Sequence, residues 1–164
     1  MDRRIACLDQ RRMHLQATVD VLEAAEANVV AKAVDAVLAL PRVEPCADAS
    51  WLLTEDPPPD DPKVAVAIEE IRGQLARIDA LERTAQYDLA LSIAEEALAR
   101  AVELDHPQTH DLVAAELAQV LIRKGRYDDA EKHARTAYYS ALARADLTTA
   151  AKASLRLANS QQIT

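Results

Sequence analysis

Apolar positions recur along this chain at helical spacing and rarely alternate as a strand requires. Ahead of Pro41, Leu8, Leu15, Val19, Leu22 and Ala25 form one stripe, with Thr18 as a small polar member of the same face. Val29, Val30, Ala33, Val34, Val37 and Leu38 form a second. One unbroken helix here would be about 60 Å long. A break near Glu26–Asn28, giving a helical hairpin over 1–40, is the expectation; a single long helix is the alternative. Six of the seven prolines lie between Pro41 and Pro62 and mark 41–62 as a proline-rich connector. Within it Ala47–Leu53 reads as one short helical piece, with Leu52 and Trp51 as its apolar contacts and Trp51 as a plug over the hairpin. Pro57, Pro58 and Pro59 cannot sit in a helix interior and read as extended chain. Asp61 and Pro62 read as the cap and first residue of the next helix. Helices are then expected over 63–84, 87–104, 107–124, 127–144 and 147–160, with Asp105-His106-Pro107 and Gly125-Arg126 as stops.

Composition strengthens the helical reading. The chain of 164 residues holds 34 Ala and 20 Leu, but 2 Gly, no Phe and only 3% aromatic residues. Alanine is the best helix former, whereas strands favour aromatic and β-branched residues. An all-α fold is expected; all-β and Rossmann-type folds are excluded. Gly73 and Gly125 stand too far apart for a phosphate-cradling loop. A net charge of -8 argues against nucleic acid as a partner, because phosphate contacts need clustered cations. The small cluster Arg3, Arg4, Arg11 and Arg12 reads as a solvated helix face. No apolar run reaches membrane-spanning length, so no membrane insertion is expected. Met1-Asp2-Arg3-Arg4 leads into no apolar stretch and reads as the middle of a helix, suggesting an excised fragment.

Self-comparison yields the strongest signal. A shift of 40 places Tyr87, Asp88, Ala90, Ala94, Ala97 and Ala101 on Tyr127, Asp128, Ala130, Ala134, Ala137 and Ala141, six identities in 15 positions. Leu81 and Arg83 fall on Leu121 and Arg123, and Leu117-Ala118 on Leu157-Ala158. This describes two helix pairs, 63–104 and 107–144, and the first helix of a third, 147–160.

Ala114-x2-Leu117-Ala118-x2-Leu121, followed by Gly125-Arg126-Tyr127-Asp128-Asp129-Ala130 and then Ala134 and Ala137, resembles the tetratricopeptide repeat. Ala118 and Ala130 occupy the positions where that family packs two antiparallel helices closely. Three features depart from its pattern: Ala114 replaces the large aromatic of the first helix, Leu142 replaces the closing proline, and the period is 40 rather than about 34. In the earlier copy Ala85 replaces the turn glycine. The resemblance implies a right-handed α-solenoid over about 63–160 whose first helices line a concave face. It implies a protein or peptide partner there, with Arg72, Asp79 and Arg83 contributed by one helix, Gln119, Ile122 and Arg123 by the next, and Lys152 and Asn159 by the last. The two-cation clamp of some family members is not evident, since Ala115 and Gln119 occupy that face.

The N-terminal part carries Ala6-Cys7-Leu8-x2-Arg11-Arg12, Asp20-Val21-Leu22, Val29-Val30, Ala33, Ala36-Val37, Leu40-Pro41 and Cys46-Ala47-Asp48. This resembles a non-catalytic segment of large bacterial serine/threonine protein kinases of the myxobacterial type. There it follows a kinase domain and a membrane span and precedes tetratricopeptide-type repeats. No glycine-rich loop and no His-Arg-Asp catalytic loop occurs here. The resemblance implies a sensor or scaffold region, extracytoplasmic and periplasmic, without enzymatic activity. A stand-alone cytoplasmic adaptor, or the helical part of a regulator, is the alternative.

Cys7 and Cys46 are the only thiols. A turn near residue 27 would bring Leu40 back to about the level of residue 14, and six further extended residues reach the level of Cys7. The hairpin therefore predicts a Cys7–Cys46 disulfide and an oxidising compartment. His106 and His110 have metal-ligand spacing, the basis of a third reading as a small helical metal protein or enzyme. The favoured reading of the pair is a cap and first turn, and no third ligand is evident beyond Asp111 or Glu103, so neither metal nor cofactor is expected. The final helix ends without a partner, and Leu155 on it could support a homodimer.

Overall fold

The computed structural model describes residues 3–24, 27–52 and 59–161. All regular elements among them are helical. The helices are α1 (Arg3–Glu23), α2 (Ala27–Val30), α3 (Ala33–Leu38), α4 (Ala49–Leu52), α5 (Pro62–Arg83), α6 (Tyr87–Glu103), α7 (Pro107–Arg123), α8 (Tyr127–Ala143) and α9 (Leu147–Gln161), with a 3-10 turn at Glu44–Ala47. The chain forms two compact units, Met1–Gln86 and Tyr87–Thr164. The division falls within the expected first pair 63–104, placing α5 in one unit and α6 in the other.

In the first unit α1 packs along α5 and also touches α3, α4 and the 3-10 turn. Asp61 caps α5 by accepting a hydrogen bond from the Lys63 N–H at 2.8 Å, and Pro62 opens the helix, where its missing N–H costs nothing. Cys7 and Cys46 form a disulfide with Cα atoms 5.6 Å apart. It lies in a small core with Leu52, and the Arg3 guanidinium donates to the Leu52 carbonyl at 2.7 Å.

The expected hairpin is altered here. Its second arm is two short helices, α2 and α3, rather than one. Much of the two expected stripes points outward: Leu8, Leu15 and Val19 are exposed, as are Val30, Val34, Val37 and Leu38, whereas Thr18 of the first stripe and Val29 of the second are buried. Cys7 and Val21, outside the first stripe, are buried alongside Thr18. In this rotation Cys7 meets Cys46 and His14 meets Asp79 of α5. Cys7 must face Cys46, and residues 7, 14, 18 and 21 share its side of a 3.6-residue helix. Leu8 and Leu15 are then carried out of the core. The side chain of Trp51 and the residues Pro57 and Pro58 lie outside the described residues.

In the second unit, helices begin at Tyr87, Pro107, Tyr127 and Leu147, twenty residues apart. The residue two places before each of these starts has positive φ: Ala85 at 60°, Asp105 at 51°, Gly125 at 73° and Ala145 at 59°. Three of these turns close identically. The N–H groups of Gln86, Arg126 and Asp146 reach back to the carbonyls of Leu81, Leu121 and Ala141, satisfying groups that the helix end orphans. Within the second unit the turns at Asp105, Gly125 and Ala145 each reverse the chain. α7 packs against α6 on one side and α8 on the other, and α9 packs against both α8 and α7.

Alanine permits this packing. α6 buries Ala90, Ala94, Ala97 and Ala101, and α8 buries the equivalents Ala130, Ala134, Ala137 and Ala141. These small faces let helix axes approach closely. α7 supplies larger volume through Val113, Leu117, Val120 and Leu121. Ala114, Ala115, Ala137 and Ala153 form one buried cluster under Leu98 and Tyr138.

Candidate interaction surface

The site residues proposed from sequence fall on two units. Arg72, Asp79 and Arg83 stand on α5. Arg72 pairs with Glu69 at 3.3 Å on exposed surface. Asp79 accepts from Arg83 at 2.9 Å and faces His14 of α1 at 3.7 Å. Burial opposes ionisation of Asp79, but its contacts with His14 and Arg83 and their charges outweigh burial and hold its carboxyl below the usual range. Asp79 and Arg83 are therefore engaged within their own unit, where α1 lies along α5.

Gln119, Ile122 and Arg123 on α7 and Lys152 and Asn159 on α9 belong to the second unit. Gln119, Ile122 and Asn159 are half-buried, while Arg123 and Lys152 are exposed. α7 and α9 touch, and a charged group links them: Glu116 of α7 receives Lys152 at 3.3 Å and Arg156 at 3.8 Å. The Gln119 side-chain carbonyl is enclosed without a protein hydrogen-bond partner, and so is Arg156 Nε. Glu116 and Arg156 were not proposed from sequence. The 40-residue shift does superimpose them, which was the available signal.

A second polar group escaped sequence reading. Asp111 is 1% exposed, with Arg144 from the end of α8 at 2.5 Å and His110 at 3.1 Å. Arg144 also donates to the Ser140 hydroxyl and carbonyl at 2.7 and 3.0 Å. Nothing in the repeat pattern marks it, because the shift places Asp111 on Ala151 and Arg144 on Leu104. A buried carboxylate needs such partners. His133 on α8 is half-buried. Burial, with the charges of His110, Arg126 and Lys132, lowers its pKa below the ordinary imidazole value against the opposing pull of Asp129.

His106 caps α7, its ring Nδ1 accepting from the Thr109 N–H at 3.4 Å. Among the described residues no group of three or more His, Cys, Asp or Glu side chains is arranged to hold a metal. No described helix is long and apolar enough to cross a membrane. Two surface depressions each follow a single helix, one lined by Asp128, Glu131, Lys132, Arg135 and Thr136, the other by Pro62, Lys63, Val66, Ala67 and Glu70. Their lining is shallow helix surface, not an enclosed chamber.

The chain matches no family model, no curated protein and no solved structure.

Proposed function

We propose that this chain is a protein-interaction module of stacked, tetratricopeptide-like helix pairs that binds an extended peptide across α7 and α9. The observation that carries this reading is the contact of α7 with both α8 and α9 within a strict twenty-residue helix period. In a stacked array each first helix meets its own partner and the first helix of the following pair. The ligand surface would then comprise Gln119, Ile122, Arg123, Lys152 and Asn159, with Glu116 and Arg156 beneath. Its mixed charge suits a peptide better than a uniformly charged ligand.

The wider reading is a sensor or scaffold region of a bacterial serine/threonine kinase, in an extracytoplasmic location. It rests on the N-terminal sequence resemblance. The Cys7–Cys46 disulfide supports the compartment, since such bonds persist where the environment is oxidising.

A peptide-library selection followed by titration of the best binder tests the module. Gln119→Ala, Arg123→Glu and Lys152→Glu should each weaken that peptide severalfold or more while circular dichroism stays unchanged. A peptide whose affinity all three variants leave intact, or a failure of every library to yield a binder, would overturn the assignment.

A further inference from the structure

Charge is unevenly shared among the helices of the second unit. α6 carries Asp88, Glu95, Glu96 and Glu103 against one cation, Arg100. α9 carries Lys152 and Arg156 and no acidic residue. On α7, Asp111 is buried and held by Arg144 and His110. Glu116 is the other carboxylate of that helix, and it is shared: Lys152 stands at 3.3 Å and Arg156 at 3.8 Å. One anion answers two cations there, so a positive charge is left over. The 40-residue equivalence reveals a second one. Arg83 of α5 pairs with Asp79, one turn before it, at 2.9 Å. The same two places in α7 hold Arg123 and Gln119. An amide stands where the carboxylate was, and the exposed Arg123 has no ion pair or hydrogen bond among the described residues. Between these charges lies an apolar group. Leu155 shares one face of α9 with Lys152 and Asn159, through steps of three and four, and is 54% exposed.

Resting on the reading of the α7–α9 face as a peptide site, we propose that its ligand is an acidic segment of a partner protein, with two side-chain carboxylates flanking an aliphatic residue. One carboxylate meets Arg123. The other meets Lys152 and Arg156, which Glu116 alone leaves underneutralised. The aliphatic residue covers Leu155. Arg123 lies about 10 Å along α7 from the level of Glu116, a distance that extended chain crosses in about three residues. The two carboxylates therefore stand about three residues apart. Because the cations are spaced along the helices and not gathered around one point, internal side chains satisfy them and a free chain terminus is not required. These pairs are exposed, so they select the partner and speed its arrival more than they tighten it, and salt screens them.

Fluorescence anisotropy of the full, oxidised chain against three pools of end-blocked peptides is the test. The first pool carries aspartate and glutamate around leucine; the second replaces the acids by asparagine and glutamine, and the third by lysine and arginine. The acidic pool should bind about tenfold or more tighter than the amide pool, with the basic pool weakest, and added salt should narrow the gap. Arg123→Glu and Lys152→Glu should each shift preference from the acidic toward the basic pool while circular dichroism stays unchanged, since both side chains are exposed. Leu155→Ser should weaken the acidic and amide pools alike. Equal binding of acidic and amide pools, weakened by Gln119→Ala, would overturn the acidic ligand and leave the peptide site standing. No binding by any pool would overturn both. Acidic binding indifferent to Arg123→Glu and Lys152→Glu would place it elsewhere and overturn the proposal. So would self-association in sedimentation equilibrium that Leu155→Ser abolishes, because a second copy would then cover this face.

Discussion

Reduction of the Cys7–Cys46 disulfide should cost the first unit most of one folding increment. The bridge closes a loop spanning 39 residues. Cross-linking a loop of that length removes about 13 cal/mol/K of denatured-chain entropy, about 4 kcal/mol at 25 °C. The native side changes little, because both cysteines are buried beside Leu52 and a free buried thiol still packs as a small hydrophobe. The net effect should therefore approach the entropic figure. A unit of this size is stable by roughly 4–13 kcal/mol, so reduction removes a third of its stability or more. Urea denaturation by circular dichroism, with amide exchange read in α1, compares the oxidised protein with protein held in a phosphine reductant. The expected signature is a large loss of α1 protection on reduction. Thiol alkylation before and after reduction, read by intact mass, verifies the redox states. A midpoint and α1 protection unchanged within about 1 kcal/mol would refute the entropic argument.

Three further outcomes are expected. Arg144→Met should destabilise the second unit by about 3 kcal/mol, the lower end for breaking a buried pair because Arg144 keeps a quarter of its side chain in solvent; a loss under about 1 kcal/mol in denaturant titration would show Asp111 to be otherwise satisfied. Ala85→Gly and Ala145→Gly should each stabilise by about 1 kcal/mol, since glycine removes the Cβ penalty of left-handed backbone, and a lower melting temperature in both would contradict this. His133 has a depressed folded pKa, so the unfolded chain binds more protons as pH falls below the ordinary value of about 6.5. Stability should fall between about pH 6.5 and the lowered folded pKa, and His133→Gln should flatten that part of the profile.

Much of the helical organisation was legible because it is written in local terms. Alanine content, the 40-residue identities and the stops at Asp105-His106-Pro107 and Gly125 marked α6 to α9 closely: 107–124 was expected and Pro107–Arg123 observed. Asp61-Pro62 announced the start of α5 by cap chemistry alone. Other features needed proximity. Asp111 and Arg144 lie 33 residues apart and meet only because α8 folds back along α7. The engagement of Asp79 by His14 spans 65 positions and depends on α1 lying along α5.

By itself, then, the sequence determined where α5 to α9 begin and end, because propensity, capping and periodicity act over a few residues. The rotation of α1 was a tertiary decision. Periodicity offered Leu8, Leu15 and Val19 as an inner face, yet in the fold α1 turns Cys7 to Cys46 and His14 to Asp79 of α5 and leaves that stripe in solvent. Which polar groups are buried together was likewise decided by packing, because close approach of alanine-faced helices determines which charges must find partners within reach.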